Sequence, residues 1–333
     1  MSLLTKHLTP EMRAQLGGLK TAYGVTLADL TNSGMKNPDS SIGVYAGDAE
    51  AYTVFAPLLD PIIADYHGYD MSGHKRDFNP ANLKAGDLDP TGDRIISTRI
   101  RVGRNLADYA LPGAISQADR LKLEQEVVAA LSTLTGDLAG VYHPLLGMPE
   151  DVRQQLVADH FLFKAGDRFL EAAGINRDWP EGRGIFHSAD KKFLVWVNEE
   201  DSLRIISMQM GGNAHEVFER LSRAVSHLEQ TLAFAYDERL GYLSSCPTNL
   251  GTAMRASVHV KLPNVSALPD FQERCKALGV QARGIHGEHS EEDGGGVYDI
   301  SNLQRLGVTE VEGVAVLERA VTELLAEDMK LSQ

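Results

Sequence analysis

The sequence predicts an α+β fold: a small all-α N-terminal domain, then a larger C-terminal domain with a mostly antiparallel β-sheet flanked by helices. Three observations carry this prediction. Apolar residues recur at helical spacing through much of the first 70 residues. A polar stretch rich in glycine and proline then separates that region from the rest. Beyond it, short apolar or alternating segments mix with amphipathic helices. They do not follow a strict strand–helix–strand rhythm, which favours an antiparallel layer.

Taken in order, helical spacing runs through Met12–Leu19 and Tyr52–Tyr66. Between them, Thr31 to Asp48 is rich in Asn, Ser, Gly and Pro and reads as a loop. His67 to Asp93 holds six Gly or Pro residues (Gly68, Gly73, Pro80, Gly86, Pro90, Gly92) and reads as a linker. The expected division is a helical domain over 1–70, a linker over 71–93 and a second domain over 94–333. In that domain, strands are expected at Arg94–Val102, Phe193–Val197, Leu203–Gln209 and Ala256–Leu262. Ser116 with Asp119 resembles a capping box, with Leu121, Val128 and Leu131 recurring on one face. Asn213 with Glu216 opens a helix with Val217, Leu221, Ala224 and Leu228 on one face. Thr309 with Glu312 opens a last helix, with Val314, Leu317, Val321 and Leu324 inward.

The chain has 333 residues, 46 acidic against 32 basic, and a net charge of −14. That balance disfavours general nucleic-acid binding, which leaves a basic footprint. It leaves room for a local basic pocket. Hydrophobic content of 43% and charged content of 23% are ordinary for a soluble globular protein. Two cysteines, Cys246 and Cys275, define no disulfide framework and fit a reducing compartment. The amino terminus has no apolar signal core, and no apolar run approaches the roughly 20 residues of a membrane helix. A cytoplasmic protein with no nucleic-acid or membrane partner is expected.

Ser244 to Pro263 is the most informative stretch. Cys246 precedes Pro247, which cannot continue a central strand. Thr248, Asn249, Gly251 and Thr252 form a polar turn, and Arg255 follows. Val258, Val260 and Leu262 then alternate with Ser257, His259 and Lys261. A thiol beside an anion-binding turn and an arginine suggests polar chemistry on a phosphate or carboxylate. A surface turn with an inert cysteine fits the same residues.

Three other places carry candidate chemistry. Arg99 and Arg101 are two apart on a strand, so they share a face with Ser97 at a spacing of roughly 7 Å. Paired arginines repel unless an anion lies between them; a solvated face is the alternative. Asn198-Glu199-Glu200-Asp201 puts three carboxylates after a wholly apolar strand, with Arg204 four residues beyond Glu200. A polar hairpin turn with a local ion pair is the alternative there. His286 to Gly296 is a glycine-rich acidic loop able to act as a lid. Its two histidines are three apart with no further cluster, so no metal site is expected. P-loop, kinase glycine-loop and dinucleotide fingerprints are absent, so any phosphates must be held by separate arginines.

These motifs together resemble the phosphagen kinases, the ATP:guanidino phosphotransferases, and most closely the arginine kinases. C-P-T-N-L-G-T at Cys246–Thr252 matches the family signature. N-E-E-D at Asn198–Asp201, S-T-R-I-R at Ser97–Arg101, D-H-F-L-F-K at Asp159–Lys164 and R-G-I-H-G-E-H at Arg283–His289 follow the family order. The match runs from about Leu19 to about Ala326.

The resemblance implies Mg²⁺-dependent, reversible transfer of the ATP γ-phosphoryl group to a guanidino nitrogen, L-arginine being the favoured substrate. Taurocyamine or another guanidino compound is the nearest alternative, and a protein-arginine kinase the next. Glu200 and Glu288 look like the carboxylates that clamp the guanidinium, and Cys246 like the thiol that helps position it. Arg99, Arg101, Arg204, Arg255 and Arg283 look like the cluster around ADP and the transferring phosphate. Ser97, His160, Ser257, Val258, His259, His286 and Gly287 look like further nucleotide contacts. Ser41, Ile42, Gly43 and Tyr45 look like the substrate-specificity loop, and Asp39 with Arg168 like an inter-domain ion pair.

The physics fits these roles. Arginine stays charged and grips phosphate with two parallel bonds. No protein metal ligand is implied: magnesium is held mainly by phosphates and water. A guanidinium nucleophile needs a carboxylate to align it and take its proton. Surrounding positive charge is expected to favour a Cys246 thiolate. Ser41 stands where the family usually has Gly, and His286 where many members have Arg. These departures bear on substrate preference. A monomer is expected.

Overall fold

The computed structural model describes residues 1–84, 86–284 and 296–332. The first 67 residues hold α1 (Leu3–His7), α2 (Pro10–Leu16), α3 (Leu27–Lys36), α4 (Ala51–Val54) and α5 (Ala56–His67). There follow β1 (Ile95–Arg104), α6 (Gln117–Leu131), β2 (Gly140–Pro144), α7 (Glu150–Ala158), α8 (Arg168–Ala172), β3 (Gly184–Ser188), β4 (Phe193–Val197), β5 (Leu203–Met210) and α9 (Ala214–Leu228). The chain ends with β6 (Tyr236–Asp237), β7 (Gly241–Tyr242), β8 (Met254–Lys261), α10 (Phe271–Ala277), β9 (Val280–Gly284), β10 (Val297–Asn302) and α11 (Glu310–Leu331).

Eight strands form one sheet in the order β2-β3-β4-β5-β1-β8-β10-β9. Every pairing in it is antiparallel. In β1, buried Thr98, Ile100, Val102 and Arg104 alternate with half-buried Ser97, Arg99, Arg101 and Gly103. The apolar members join the main core, and α9, α10 and α11 pack against the sheet. On α9, Val217, Leu221, Ala224 and Leu228 are fully buried, as their spacing predicts. Each larger one contributes about 1.5–3 kcal/mol. α11 buries Val314, Leu317, Val321 and Leu324 in the same way, behind the expected Thr309–Glu312 capping box.

The helical region has its own core, completed by residues from far along the chain. Leu30, Phe55, Leu58 and Ile62 pack in one cluster with Leu111, Leu240, Leu243, Cys246, Leu250 and Leu306.

Three expectations need correction. The stretch read as a loop from Thr31 begins inside α3, whose Thr26–Asp29 capping box starts it. Its weak helix formers are held by side-chain bonds, Thr31 donating to the Leu27 carbonyl, Asn32 to the Ala172 carbonyl and Ser33 to the Phe169 carbonyl. Gly34 lets the chain pass Gly43: a Cβ on Gly34 would lie 2.3 Å from the Gly43 carbonyl oxygen. The inward stripe of α6 is Leu123, Val127, Ala130 and Leu131, while Leu121 is exposed. Strands β2, β3, β9 and β10 went unread because they are short and lack clear alternation.

Candidate active site

Strand register sets the arginines side by side. Arg101 on β1 lies opposite Arg255 on β8, Gly103 opposite Arg204 on β5, and Arg99 opposite Ser257. Opposed residues of antiparallel strands project to one face. Ser97, Arg99, Arg101, Arg204, Arg255, Ser257 and His259 therefore share a face. His259 lies opposite Asp299 on β10, and Asp299 opposite Arg283 on β9, which extends the face to the sheet edge.

This face is short of anions. The Arg101 guanidinium makes no hydrogen bond or ion pair among the described residues. The Nε atoms of Arg99 and Arg255 are buried without a hydrogen-bond partner. Burial, then the charges of Arg204 and Arg255, draws Arg99 down to about 10 and Arg101 well below the ordinary guanidinium range. Counter-charges sit at the margins. Glu199 and Glu200 pair with Arg204 at 3.3 and 2.9 Å, and Asp299 accepts from Arg255 Nη2 at 2.8 Å. The Arg99 and Arg204 guanidinium groups lie 5.6 and 5.3 Å from the Trp196 ring centroid. The Trp196 indole N–H donates to the Phe161 carbonyl at 2.7 Å, which holds the ring in place. A crowded cationic face of this kind is stabilised by a polyanion.

Glu200 occupies the turn between β4 and β5. Asn198 opens that turn at φ +56°, and its N–H closes it on the Ser202 carbonyl at 2.9 Å. Burial lifts the Glu200 carboxyl to about 7, against the pull of Arg204. Cys246 is 5% exposed, with Sγ 3.0 Å from the Thr248 hydroxyl. Burial, and next the Glu200 charge, pushes its thiol up to about 12. Without a bound cation the neutral thiol is thus favoured over the expected thiolate. The Tyr45 phenol is also pushed up, by burial and then by Cys246 and Glu200. Burial and their mutual charges thus disfavour further negative charge on these three neighbouring groups.

Other expected residues fall in distinct places. Arg168 Nη1 donates to Asp39 Oδ1 at 3.0 Å and to Asn37 Oδ1 at 3.1 Å, and Arg168 Nη2 donates to Asp39 Oδ2. Ser41 is exposed, and its carbonyl accepts from the Leu3 N–H at 2.9 Å. Ile42 packs in the helical core, and Gly43, at φ +81°, abuts Leu4. The Val258 side chain lies in the main core, so its contribution to the arginine face is limited to backbone. His160 is exposed, at φ +61°, and lies near enough to act on His259. His286, Gly287 and Glu288 lie outside the described residues.

Sequence reading missed Arg305, Asp299, Trp196 and Asn105. Arg305 Nη1 donates to the Thr248 carbonyl at 3.2 Å and to Asn249 Oδ1. It lines one cavity with Arg101, Asp201, Arg204, Asn249 and Arg255. The chain passes close by at Gly251, where a Cβ would lie 2.1 Å from the Arg305 carbonyl oxygen.

Comparison with known proteins agrees with this geometry. The N-terminal domain of the ATP:guanido phosphotransferases matches residues 1–64, and their C-terminal catalytic domain matches residues 122–331. The chain is 58% identical over 328 residues to an arginine kinase of Anthopleura japonica, covering 97% of this chain and 46% of that protein. It is 54% identical to the arginine kinase Oct f 2 of Amphioctopus fangsiao, covering 98% of this chain and 94% of that one. A solved structure of the duplicated taurocyamine kinase of Schistosoma mansoni superposes with a TM-score of 0.94 at 42% identity, covering 99% of this chain and 46% of that one. The chain thus spans about half the length of the Anthopleura japonica and Schistosoma mansoni proteins. No helix among the described residues is long and apolar enough to cross a membrane.

Proposed function

This chain belongs to the ATP:guanido phosphotransferase family, and on that premise we propose that it transfers the γ-phosphoryl group of ATP, reversibly, to the guanidino nitrogen of L-arginine. The products are phosphoarginine and ADP, a phosphagen buffer for ATP. One observation carries the reading: a cluster of arginines on one sheet face is joined, through the Arg204–Glu200 ion pair, to the corner where Glu200 and Cys246 act on each other. The division into 1–70, 71–93 and 94–333 is part of the same proposal.

Arg99, Arg101, Arg204, Arg255 and Arg283 hold the phosphates. Phosphoryl transfer needs little beyond positioning and charge stabilisation, and bidentate guanidinium groups supply both. Ser97, His160, Ser257, Val258, His259, His286 and Gly287 complete the nucleotide side. Magnesium arrives with the nucleotide, held by phosphate oxygens and water, as part of the substrate. Ser41, Ile42, Gly43 and Tyr45 receive the amino-acid end of the guanidino substrate, and the Asp39–Arg168 pair ties that loop's region to the larger domain.

Glu200 and Glu288 align the guanidinium, and one of them takes the proton that its nitrogen releases. The N–P bond forms as the bond from the γ-phosphorus to the bridging oxygen breaks, and ADP leaves. Cys246 enters as a neutral thiol, and a docked cation favours its ionisation.

Arginine is favoured because the two sequence relatives above, 58% and 54% identical, are arginine kinases. The fold likeness to taurocyamine kinase supports the second reading. The cytoplasm and a monomeric state belong to the proposal, and the two free cysteines fit a reducing compartment. A coupled assay across arginine, taurocyamine, creatine and glycocyamine tests it. The highest kcat/KM is expected for arginine. Taurocyamine turnover far above arginine overturns the substrate, and phosphorylation of a folded protein without turnover of free arginine assigns a protein-arginine kinase instead.

A further inference from the structure

Asn105 follows the last residue of β1 and is 1% exposed. Its carboxamide uses its full bonding capacity. Nδ2 donates to Asp201 Oδ1 at 2.8 Å and to the Leu243 carbonyl at 3.0 Å. Oδ1 accepts from the Ser202 N–H at 2.8 Å and from the Ser202 hydroxyl at 3.1 Å. The same Asp201 Oδ1 accepts from the Ser245 N–H at 2.8 Å, and the Ser245 hydroxyl donates to the Glu200 carbonyl at 2.8 Å.

Two distant segments, Glu200–Ser202 and Leu243–Ser245, are therefore bonded to one amide and to each other. Glu200 stands at one end of this network, and Cys246 directly follows it. The helical region ties into the same segment: the Ala46 N–H donates to the Ser245 carbonyl at 2.8 Å, and the Tyr52 hydroxyl donates to the Ser244 carbonyl at 2.6 Å. A buried amide is favourable only when fully bonded. Here each of its bonds fixes a segment that carries or adjoins a residue of the guanidino pocket.

We propose that Asn105 is a positioning residue for the guanidino half of the reaction, setting the Glu200 carboxylate and the Cys246 thiol in register with each other. The proposal rests on the guanidino-kinase reading above. Removing the amide leaves buried donors and acceptors unmatched and frees the turn to shift against the Cys246 segment. A displacement of about 1 Å at reacting groups costs about 10²-fold in rate.

Asn105→Leu removes every side-chain bond at similar volume. Its kcat/KM for the guanidino substrate should fall about 10- to 100-fold, while the nucleotide KM stays within about twofold. Alkylation of Cys246 by iodoacetamide, followed on its own peptide, should change rate in the same variant. Asn105→Asp sets a carboxylate oxygen against Asp201, so its guanidino kcat/KM should be low at pH 8. That value should recover relative to wild type as the pH falls, because a protonated carboxyl donates again. If Asn105→Leu does not fold, Asn105→Asp across pH carries the test. Folded variants with guanidino kinetics and Cys246 alkylation within about twofold of wild type overturn the proposal. Equal losses on the guanidino and nucleotide sides overturn it too, since they mark a general structural role. A wild-type protein that phosphorylates no guanidino compound defeats the functional reading instead, and the alkylation comparison still decides whether Asn105 sets the pocket.

Discussion

Replacing Glu200 by Gln tests the guanidinium clamp of the proposed reaction. The Glu200 side chain is 16% exposed, and burial lifts its carboxyl from the ordinary 4.5 to about 7. That gap corresponds to about 3 kcal/mol, at about 1.4 kcal/mol for each pH unit. It measures the work of ionising the carboxyl within this pocket. A guanidinium docked against the anion offsets part of that cost. Gln keeps the shape and loses the charge, so kcat/KM for the guanidino substrate should fall about 10²- to 10³-fold with nucleotide binding nearly intact. The pH dependence follows from the same number. The unliganded enzyme must shed the Glu200 proton before a guanidinium docks. Wild-type kcat/KM should therefore climb about tenfold per pH unit up to about pH 7 and then level off. The variant should lack that limb. Initial rates at saturating nucleotide, with ADP release coupled to detection from about pH 5.5 to pH 9, read both effects. Wild-type-like turnover in Glu200→Gln, or the same acid limb in both proteins, refutes the assignment.

Arg305→Met removes the guanidinium that bonds Thr248 and Asn249. A drop of about tenfold in kcat/KM is expected, partly restored by Arg305→Lys, and unchanged steady-state kinetics would contradict it. On α11, the half-buried Glu318 has Oε1 buried without a partner, and burial lifts its carboxyl to about 7. A raised folded value means that its stabilising contribution is full below about 4.5 and is lost as pH rises through about 7. Glu318→Gln should therefore match wild type in thermal melts near pH 5 and exceed it by about 2 kcal/mol near pH 8, whereas a pH-independent difference would count against the assignment.

Much of the scaffold was legible because local signals agreed with tertiary demands. On α9 and α11 a capping pair and a buried stripe coincide. β1, β4, β5 and β8 announce themselves by alternation or a wholly apolar run. α3 was hidden because its Thr, Asn, Ser and Gly residues are weak helix formers, held by side-chain bonds and by the passage of Gly34 past Gly43. The site was legible in pieces. Arg99 and Arg101 share a face by strand geometry alone, but bringing Arg204 and Arg255 beside them needs a register spanning more than 100 residues. Arg305 and Asn105 carry no local pattern, since their partners come from segments far away in the chain. The protonation of Cys246 in the unliganded site was not legible, because neither its burial nor its nearness to Glu200 shows in the sequence.

The shared core of the amino-terminal helices has a consequence for how this enzyme can vary. Cys246 packs in the same cluster as Leu30, Phe55 and Ile62, with Leu240, Leu243, Leu250 and Leu306 completing the wall. The amino-terminal region is therefore no cassette. A graft of the first 67 residues from a relative would meet that wall from the wrong partner, and each ill-fitting large side chain costs about 1–3 kcal/mol. Large-to-small or small-to-large changes on one side of this shared core have to be matched on the other.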